Sequence, residues 1–234
     1  MATREGLYEA LDRFREALAA RDSRRVEWSS GLRYTENNVA LEPGDGVWNT
    51  LTTLGPYDLR FADASHGQVA LFTCVEETDA VSPAAIRLAF HEGVVGECEI
   101  VVARNKDEGF AFHGQRFEGK PAMLAEVPEA ERISRTEMIA LANGYFETIE
   151  RNNGMIRTRF HPHCNRVENG VQTTNNPEFP LPIARPAARS SSRSAGTATT
   201  MSCAPAASRW SISSAASSSR TASSTTQACL ATTS

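Results

Sequence analysis

Beyond Pro182 the chain contains no Asp, Glu, Lys, His, Asn, Val, Phe or Tyr, and Ser, Thr and Ala fill 36 of its last 52 positions. A segment so short of apolar and acidic side chains cannot bury enough surface to offset the entropy lost on ordering, which excludes a packed core there. Residues 183–234 are therefore expected to be a disordered, low-complexity tail. The genetic code offers an origin for it. With suitable synonymous codons, a two-base shift turns the tail into apolar strand segments around a turn, with acids restored. A frameshifted terminus that replaces native strands is the first reading, and a genuine low-complexity tail is the other.

The remaining 182 residues, enough for a single domain with a real core, are defined by further absences. Cysteine is sparse: Cys74, Cys98 and Cys164 lie far apart, and Cys203 and Cys229 fall in the tail. That leaves no disulfide framework and no CxxC clip, and points to a cytoplasmic protein with reduced thiols. Positive charge is also short. All 28 acidic side chains precede the tail against 19 basic ones, a formal charge of −9, which argues against nucleic acid or an anionic membrane as partner. No apolar run is long enough to span a bilayer, and the first residues are an amphipathic pattern with no leader-like character.

What is present reads as α+β. Leu7, Leu11, Phe14 and Leu18 recur at helical spacing behind Thr3, a candidate N-cap. A short second helix is expected over 22–30, ended by Gly31, and the Gly/Pro-rich run 41–50 is expected to be a loop. Strands are expected over 68–77, 84–92 and 94–104, with a tight turn at Glu92 and Gly93. Their two faces are both largely apolar, so both should be dry. Ser134 and Glu137 form a capping-box pattern ahead of the stripe Met138, Leu141, Ala142, Tyr145, Phe146 and Ile149, predicting a helix that ends near 152–154. Residues 155–182 are expected to be irregular.

Four features taken together carry a resemblance: the YTEN run at Tyr34–Asn37, the GDGVW loop at Gly44–Trp48, Asp63 ahead of the first long strand, and HPHCNRVENGVQTTNN at His161–Asn176. They resemble an uncharacterised family, of the domain of unknown function 8021 type, within the nuclear transport factor 2-like (SnoaL-like) superfamily. The resemblance implies an α+β cone, in which a curved, mixed or antiparallel sheet forms a cavity covered by helices. It also implies a closing hairpin, which here is present only in the shifted frame. Relatives such as ketosteroid isomerase, scytalone dehydratase and polyketide cyclases use acid and base side chains in an apolar cavity without a cofactor. Others only bind or assemble, often as homodimers through their sheets, so the fold leaves function open.

The candidate residues follow from chemistry. His161, His163, Cys164, Arg166 and Glu168 crowd into eight positions. A histidine there suits a general base or acid, Glu168 tunes it, and Arg166 suits an anionic or enolate oxygen, while an Arg166–Glu168 pair that merely orders the loop explains the same residues. A metal site from His161, His163 and Cys164 lacks a companion ligand pair, so no metal is expected. Glu99 lies in an apolar strand. Facing a cavity it becomes a desolvated proton shuttle; facing outward beside Glu97 it is solvated. Tyr34 can stabilise an oxyanion, or be a core ring with a wet hydroxyl. Glu36, Asn37, Asp63 and Asn169 are candidate substrate contacts, with turn chemistry the alternative for Asn37 and Asp63. Trp48 is core, or a lid over an apolar ligand. His91 and His113 read as caps on strand ends.

These residues point to a cofactor-independent lyase, dehydratase or isomerase acting on a small apolar or aromatic metabolite. A non-catalytic carrier of the same shape is the alternative, as is an inactive, truncated copy.

Overall fold

A computed structural model describes residues 2–78, 80–104, 121–160, 164–169, 171–172 and 174–177. The described residues fall into two compact units, 2–104 and 121–177, each treated by itself. The tail, with the disorder expected of it, lies outside the described residues.

The first unit opens with α1, Arg4–Ala19, capped by Thr3, whose hydroxyl accepts the Gly6 N–H at 3.0 Å. Leu7, Leu11, Phe14, Ala17 and Leu18 form its buried stripe, as their spacing requires. The expected second helix shrinks to one 3-10 turn, Ser23–Arg25, capped by Asp22. Trp28 instead begins a strand, because its indole N–H donates to the Ser23 carbonyl at 2.8 Å and fixes the chain in an extended exit.

The strands are β1 (Trp28–Glu36), β2 (Val39–Ala40), β3 (Leu51–Leu54), β4 (Leu59–Asp63), β5 (Gln68–Glu77), β6 (Ala80–His91) and β7 (Val94–Val102), with a one-turn helix, α2 (Val47–Thr50), before β3. They form one sheet in the order β2-β1-β7-β6-β5-β3, with β4 also on β5. The β1–β7 pair is parallel and the others are antiparallel. The sheet is mixed and curved, as expected, and it is unclosed. Register shifts between β1 and β7, between β6 and β7, and between β3 and β5 supply bends. Glu92 and Gly93 both take positive φ in the two-residue β6–β7 turn.

One face of this sheet packs under α1. Val69, Leu71, Val75, Ala84, Ile86, Leu88, Cys98, Ile100, Val102 and Tyr34 join the helix stripe in a single apolar cluster. Burial of each large side chain there stabilises by roughly 1.5–3 kcal/mol. The other face is also mostly dry, with Leu59, Phe61, Ala70, Cys74 and Ala89 buried. Phe61 and Phe72 meet edge to face there, at 5.7 Å.

The second unit holds α3 (Pro121–Leu124), α4 (Arg135–Arg151) and a two-stranded hairpin of β8 (Val167–Glu168) and β9 (Val171–Gln172). Ser134 caps α4 by accepting the Glu137 N–H at 3.2 Å. Only half of the capping box forms, because the Glu137 carboxylate pairs with Arg159. Asn152, in the left-handed region, ends the helix. The segment after it lies along α4: the Thr148 hydroxyl accepts the Arg157 N–H at 2.9 Å, and the Thr158 hydroxyl donates to the Leu141 carbonyl at 2.9 Å. This close approach needs Gly144, where a Cβ would sit 2.3 Å from the Arg157 carbonyl oxygen.

Candidate functional site

The YTEN and GDGVW runs form one structural unit. Tyr34 and Glu36 sit two apart on β1, so both point to the α1 face. Glu36, only 6% exposed, accepts the Val47 N–H through Oε2 at 2.7 Å and pairs with Arg104 through Oε1 at 2.5 Å. Gly46 makes the approach feasible. Its φ is 62°, and a Cβ there would stand 2.1 Å from the Glu36 Oε2. The Glu36 carboxylate thereby ties β1 to the loop that carries Trp48.

Asn37 finishes the strand by imitating one. Its amide accepts the Val102 N–H at 2.8 Å and donates to the Val102 carbonyl at 3.0 Å, extending the β1–β7 ladder with a side chain. Asn37 and Asn38 then make the positive-φ turn into β2. This is the turn chemistry named as the alternative for Asn37.

Trp48 is 1% exposed and Tyr34 3%. Trp48 packs edge to face on Phe14 at 5.6 Å and Trp28 at 6.4 Å, and Trp28 on Tyr34 at 6.2 Å. Of the two readings of Trp48, the geometry is that of core. Tyr34 is a core ring, but its hydroxyl is not wet. Among the described residues, neither the Tyr34 hydroxyl nor the Trp48 indole N–H has a hydrogen bond of ordinary geometry. The indole N–H approaches the phenol oxygen as a weak hydrogen bond that lowers its pKa. Burial, followed by the adjacent Cys98 and the Glu36 carboxylate, pushes it far up, so the phenol stays protonated. The phenol's own proton thus lies buried, at a cost of about 1–3 kcal/mol if it stays unsatisfied.

Below them the sequence missed a cluster. Arg104 bonds Glu77 at 2.8 Å as well as Glu36, and the Thr50 hydroxyl donates to Glu77. Burial disfavours the Arg104 cation, yet the bonds to Glu77 and Glu36 hold it firmly charged. Glu36, Glu77 and Arg104 come from three strand ends, far apart in sequence, so no local motif announces them.

The other candidates are placed elsewhere. Glu99 is on the opposite face, beside Glu97, and pairs with Arg87 at 2.7 Å; Arg87 also bonds Glu97 at 2.5 Å. That is the outward alternative, with a buried arginine the sequence reading overlooked. Asp63 ends β4 and accepts from the Ser65 hydroxyl at 2.6 Å, with His66 Nδ1 3.3 Å away. All three are near neighbours in a turn. The exposed His91 lies over Gly96, where a Cβ would meet its ring.

In the second unit, Arg166 is buried and its backbone N–H donates to the Thr174 hydroxyl at 2.7 Å. The Asn175 amide reaches the Cys164 carbonyl at 3.2 Å and Asn165 Oδ1 at 2.8 Å. Asn169 takes φ 47° and opens the two-residue β8–β9 turn. His161, His163 and His113, and the side chain of Glu168, lie outside the described residues. Burial raises the Cys164 thiol to about 12 and the Cys74 thiol to about 11, which makes both poor nucleophiles. Among the described residues, no three His, Cys, Asp or Glu side chains are grouped to hold a metal ion, and no helix is long and apolar enough to cross a membrane.

Comparison with known proteins adds the following. No curated protein matches the chain. Among solved structures, an NTF-2 like protein of unknown function from Burkholderia xenovorans is similar at 11% identity, over 43% of this chain and 85% of its own, with a TM-score of 0.36. An NTF2-like protein of unknown function from Cytophaga hutchinsonii is similar at 10% identity, over 44% and 92%, with a TM-score of 0.31. A protein of unknown function with a cystatin-like fold from Methylobium petroleophilum is similar at 12% identity, over 44% and 80%, with a TM-score of 0.35. The model of a family described as a domain of unknown function (DUF8021) matches residues 131–217. That stretch contains the run His161–Asn176 and passes Pro182 into the Ser/Thr/Ala-rich segment. Over residues 131–217 the chain is thus similar to the uncharacterised family that its late motif resembles.

Proposed function

We propose that the α1-facing side of the sheet binds a small, mostly apolar metabolite and that Tyr34 gives it a hydrogen bond. The observation that carries this reading is the phenol itself: a buried hydroxyl whose own proton has no acceptor among the described residues destabilises a fold, and a guest oxygen is a reason to keep it. The aromatic surround of Trp28, Trp48 and Phe14 suits an apolar or aromatic guest.

Tyr34→Phe tests it. The variant is expected to unfold at the same denaturant midpoint as the parent or to be more stable by about 1 kcal/mol, and to lose affinity for whichever metabolite the parent takes from a screen. A loss of about 1 kcal/mol or more would show that the hydroxyl is already bonded within the fold, and the reading would fail.

Cofactor-independent turnover, as a lyase, dehydratase or isomerase, is the second reading. Proton transfer needs an acceptor. Glu36 has both oxygens engaged, Glu77 is engaged by Arg104 and Thr50, and Glu99 faces the other side. The base would come from outside this cluster, and the sequence offers His161 and His163. Turnover that persists when both are replaced by Ala would remove them from the mechanism.

Cys74, Cys98 and Cys164 are buried and far apart in sequence, which fits the cytoplasmic location proposed here. The frameshift origin of 183–234 remains a proposal of its own. The nucleotide sequence around Ile183 decides it, and a record with no usable alternative frame would end it.

A further inference from the structure

We propose that Asn153 is a site of spontaneous deamidation, and that its conversion to aspartate and isoaspartate loosens the segment that runs back along α4. The chemistry needs a backbone nitrogen that can reach the side-chain amide carbon of the residue before it. Asn followed by Gly is the least hindered case, because glycine has no Cβ to crowd the approach. The pair occurs at Asn143-Gly144, Asn153-Gly154 and Asn169-Gly170, and the structure sets the first two apart.

Asn153 and Gly154 are exposed, directly after Asn152 closes α4. Gly154 takes φ 78°, and among the described residues nothing stands within 4 Å of where its Cβ would be. Asn153 Oδ1 accepts the Met155 N–H at 3.2 Å. That bond draws electron density from the amide carbon, and it meets the oxygen on which negative charge gathers when the carbon becomes tetrahedral. Asn143-Gly144 is the opposite case. It lies inside α4, where the Gly144 N–H is committed to the helix ladder. Gly144 is also buried, and its carbonyl accepts the Thr148 hydroxyl at 2.6 Å. Asn169 opens a hairpin turn, and Gly170 lies outside the described residues.

In the reaction the Gly154 nitrogen gives its proton to solvent base and bonds to the Asn153 amide carbon. The bond from that carbon to the side-chain nitrogen then breaks, and ammonia leaves with a proton taken from water. Water opens the resulting cyclic imide at either carbonyl. Opening at the side-chain carbonyl gives aspartate; opening at the main-chain carbonyl gives isoaspartate, in which the chain runs through an extra methylene. Both products put a carboxylate beside the C-terminal carbonyls of α4, the negative end of its dipole. Isoaspartate also lengthens the turn that sets Arg157 and Thr158 against Thr148 and Leu141, so both ties should weaken.

The test ages the full chain in mildly alkaline buffer and follows it by mass spectrometry. Trypsin, cutting after Arg135, Arg151, Arg157 and Arg166, puts the Asn-Gly pairs on separate peptides. Peptide 152–157 is expected to gain the mass of an amide-to-acid exchange, located at Asn153 by fragmentation, at least about tenfold faster than 136–151 gains it at Asn143. In denaturant the two rates should converge, because each pair then sits in an open chain. Native rates that match each other, or a native gap that persists in denaturant, would overturn the site. Ageing should also speed hydrogen exchange at the Arg157 amide in the parent, and should not do so in Asn153→Gln, whose longer side chain closes the ring poorly. Equal exchange in aged and fresh parent would overturn the loosening.

Discussion

The two units put similar helices to unequal use. In residues 2–104, the 16-residue α1 buries five side chains against the sheet, and the large ones, Leu7, Leu11, Phe14 and Leu18, are nearly inaccessible. In residues 121–177, the 17-residue α4 also carries an apolar stripe, yet among its described residues only Gly144 and Tyr145 are buried, and Phe146 stands 48% exposed. Leu124, Met155 and Ile156 of the same unit are exposed too. An amphipathic pattern states that a face seeks cover; it does not state how much cover the chain provides. The first unit closes its face with a sheet. The second, within its described residues, holds its helix by polar ties from Thr148, Thr158 and Arg159, with little apolar burial.

The sharpest way to break this comparison is to delete one apolar side chain from each helix. Leu11→Ala should lower unfolding free energy by about 3 kcal/mol, because the removed atoms leave a cavity under a fully buried position. Phe146→Ala should change it by less than about 0.5 kcal/mol, since the ring is half in water. Denaturant titration followed by far-ultraviolet circular dichroism measures both. Equal losses would mean that Phe146 is covered in solution and that the units are alike.

The contrast also explains what could be read from the sequence. α1 and its cap, the β5–β6–β7 meander and α4 with its cap were legible because each combines strong periodicity with a local signal: Thr3, the Glu92-Gly93 turn, Ser134. β1 was not. Its run from Trp28 to Glu36 holds Ser29, Ser30 and Gly31 and shows little alternation, and it is a strand only because β7 pairs with it along one side. β3 and β4 were missed because each is short and borrows a different part of β5 as its template. The β8–β9 hairpin was missed despite a signal: Val167-Glu168-Asn169-Gly170-Val171 places Asn-Gly between apolar residues, a strong two-residue turn pattern. At the site, Tyr34, Glu36 and Trp48 were picked from the sequence, and the structure brings them together. Their partner Arg104 was invisible, because tertiary pairing of strand ends leaves no spacing to recognise.

The two faces of the first unit's sheet offer a second contrast, this time in pH. Arg87 holds Glu97 below the usual carboxylate range, chiefly by their hydrogen bond, with burial opposing. A carboxylate whose folded pKa is lowered stabilises the fold above its unfolded value of about 4.3, and that contribution is lost as pH falls through the folded value. Arg87→Met should therefore cost about 1–2 kcal/mol at pH 7, and the gap to the parent should close once acid has protonated Glu97. Stability curves for the two proteins that stay parallel down to the acid transition would show that the pair does not set the acid limb.

The smallest expected effect sharpens the comparison between the helices most directly, because the chemistry at the two caps is the same. Thr3 and Ser134 each accept one backbone N–H in the first turn, at 3.0 and 3.2 Å. Replacing either by Ala removes about 1 kcal/mol of local helix stability. Where that energy is registered depends on what the helix is packed against. α1 shares its core with the sheet, so Thr3→Ala should lower the global denaturation midpoint of the first unit by nearly the full amount. α4 buries little among the described residues, so Ser134→Ala should leave the main transition in place and speed amide exchange in 135–151, as expected when a helix opens below the global unfolding free energy. A global loss from Ser134→Ala matching that from Thr3→Ala would instead couple α4 to the main cooperative transition, and would contradict the unequal packing of the two stripes.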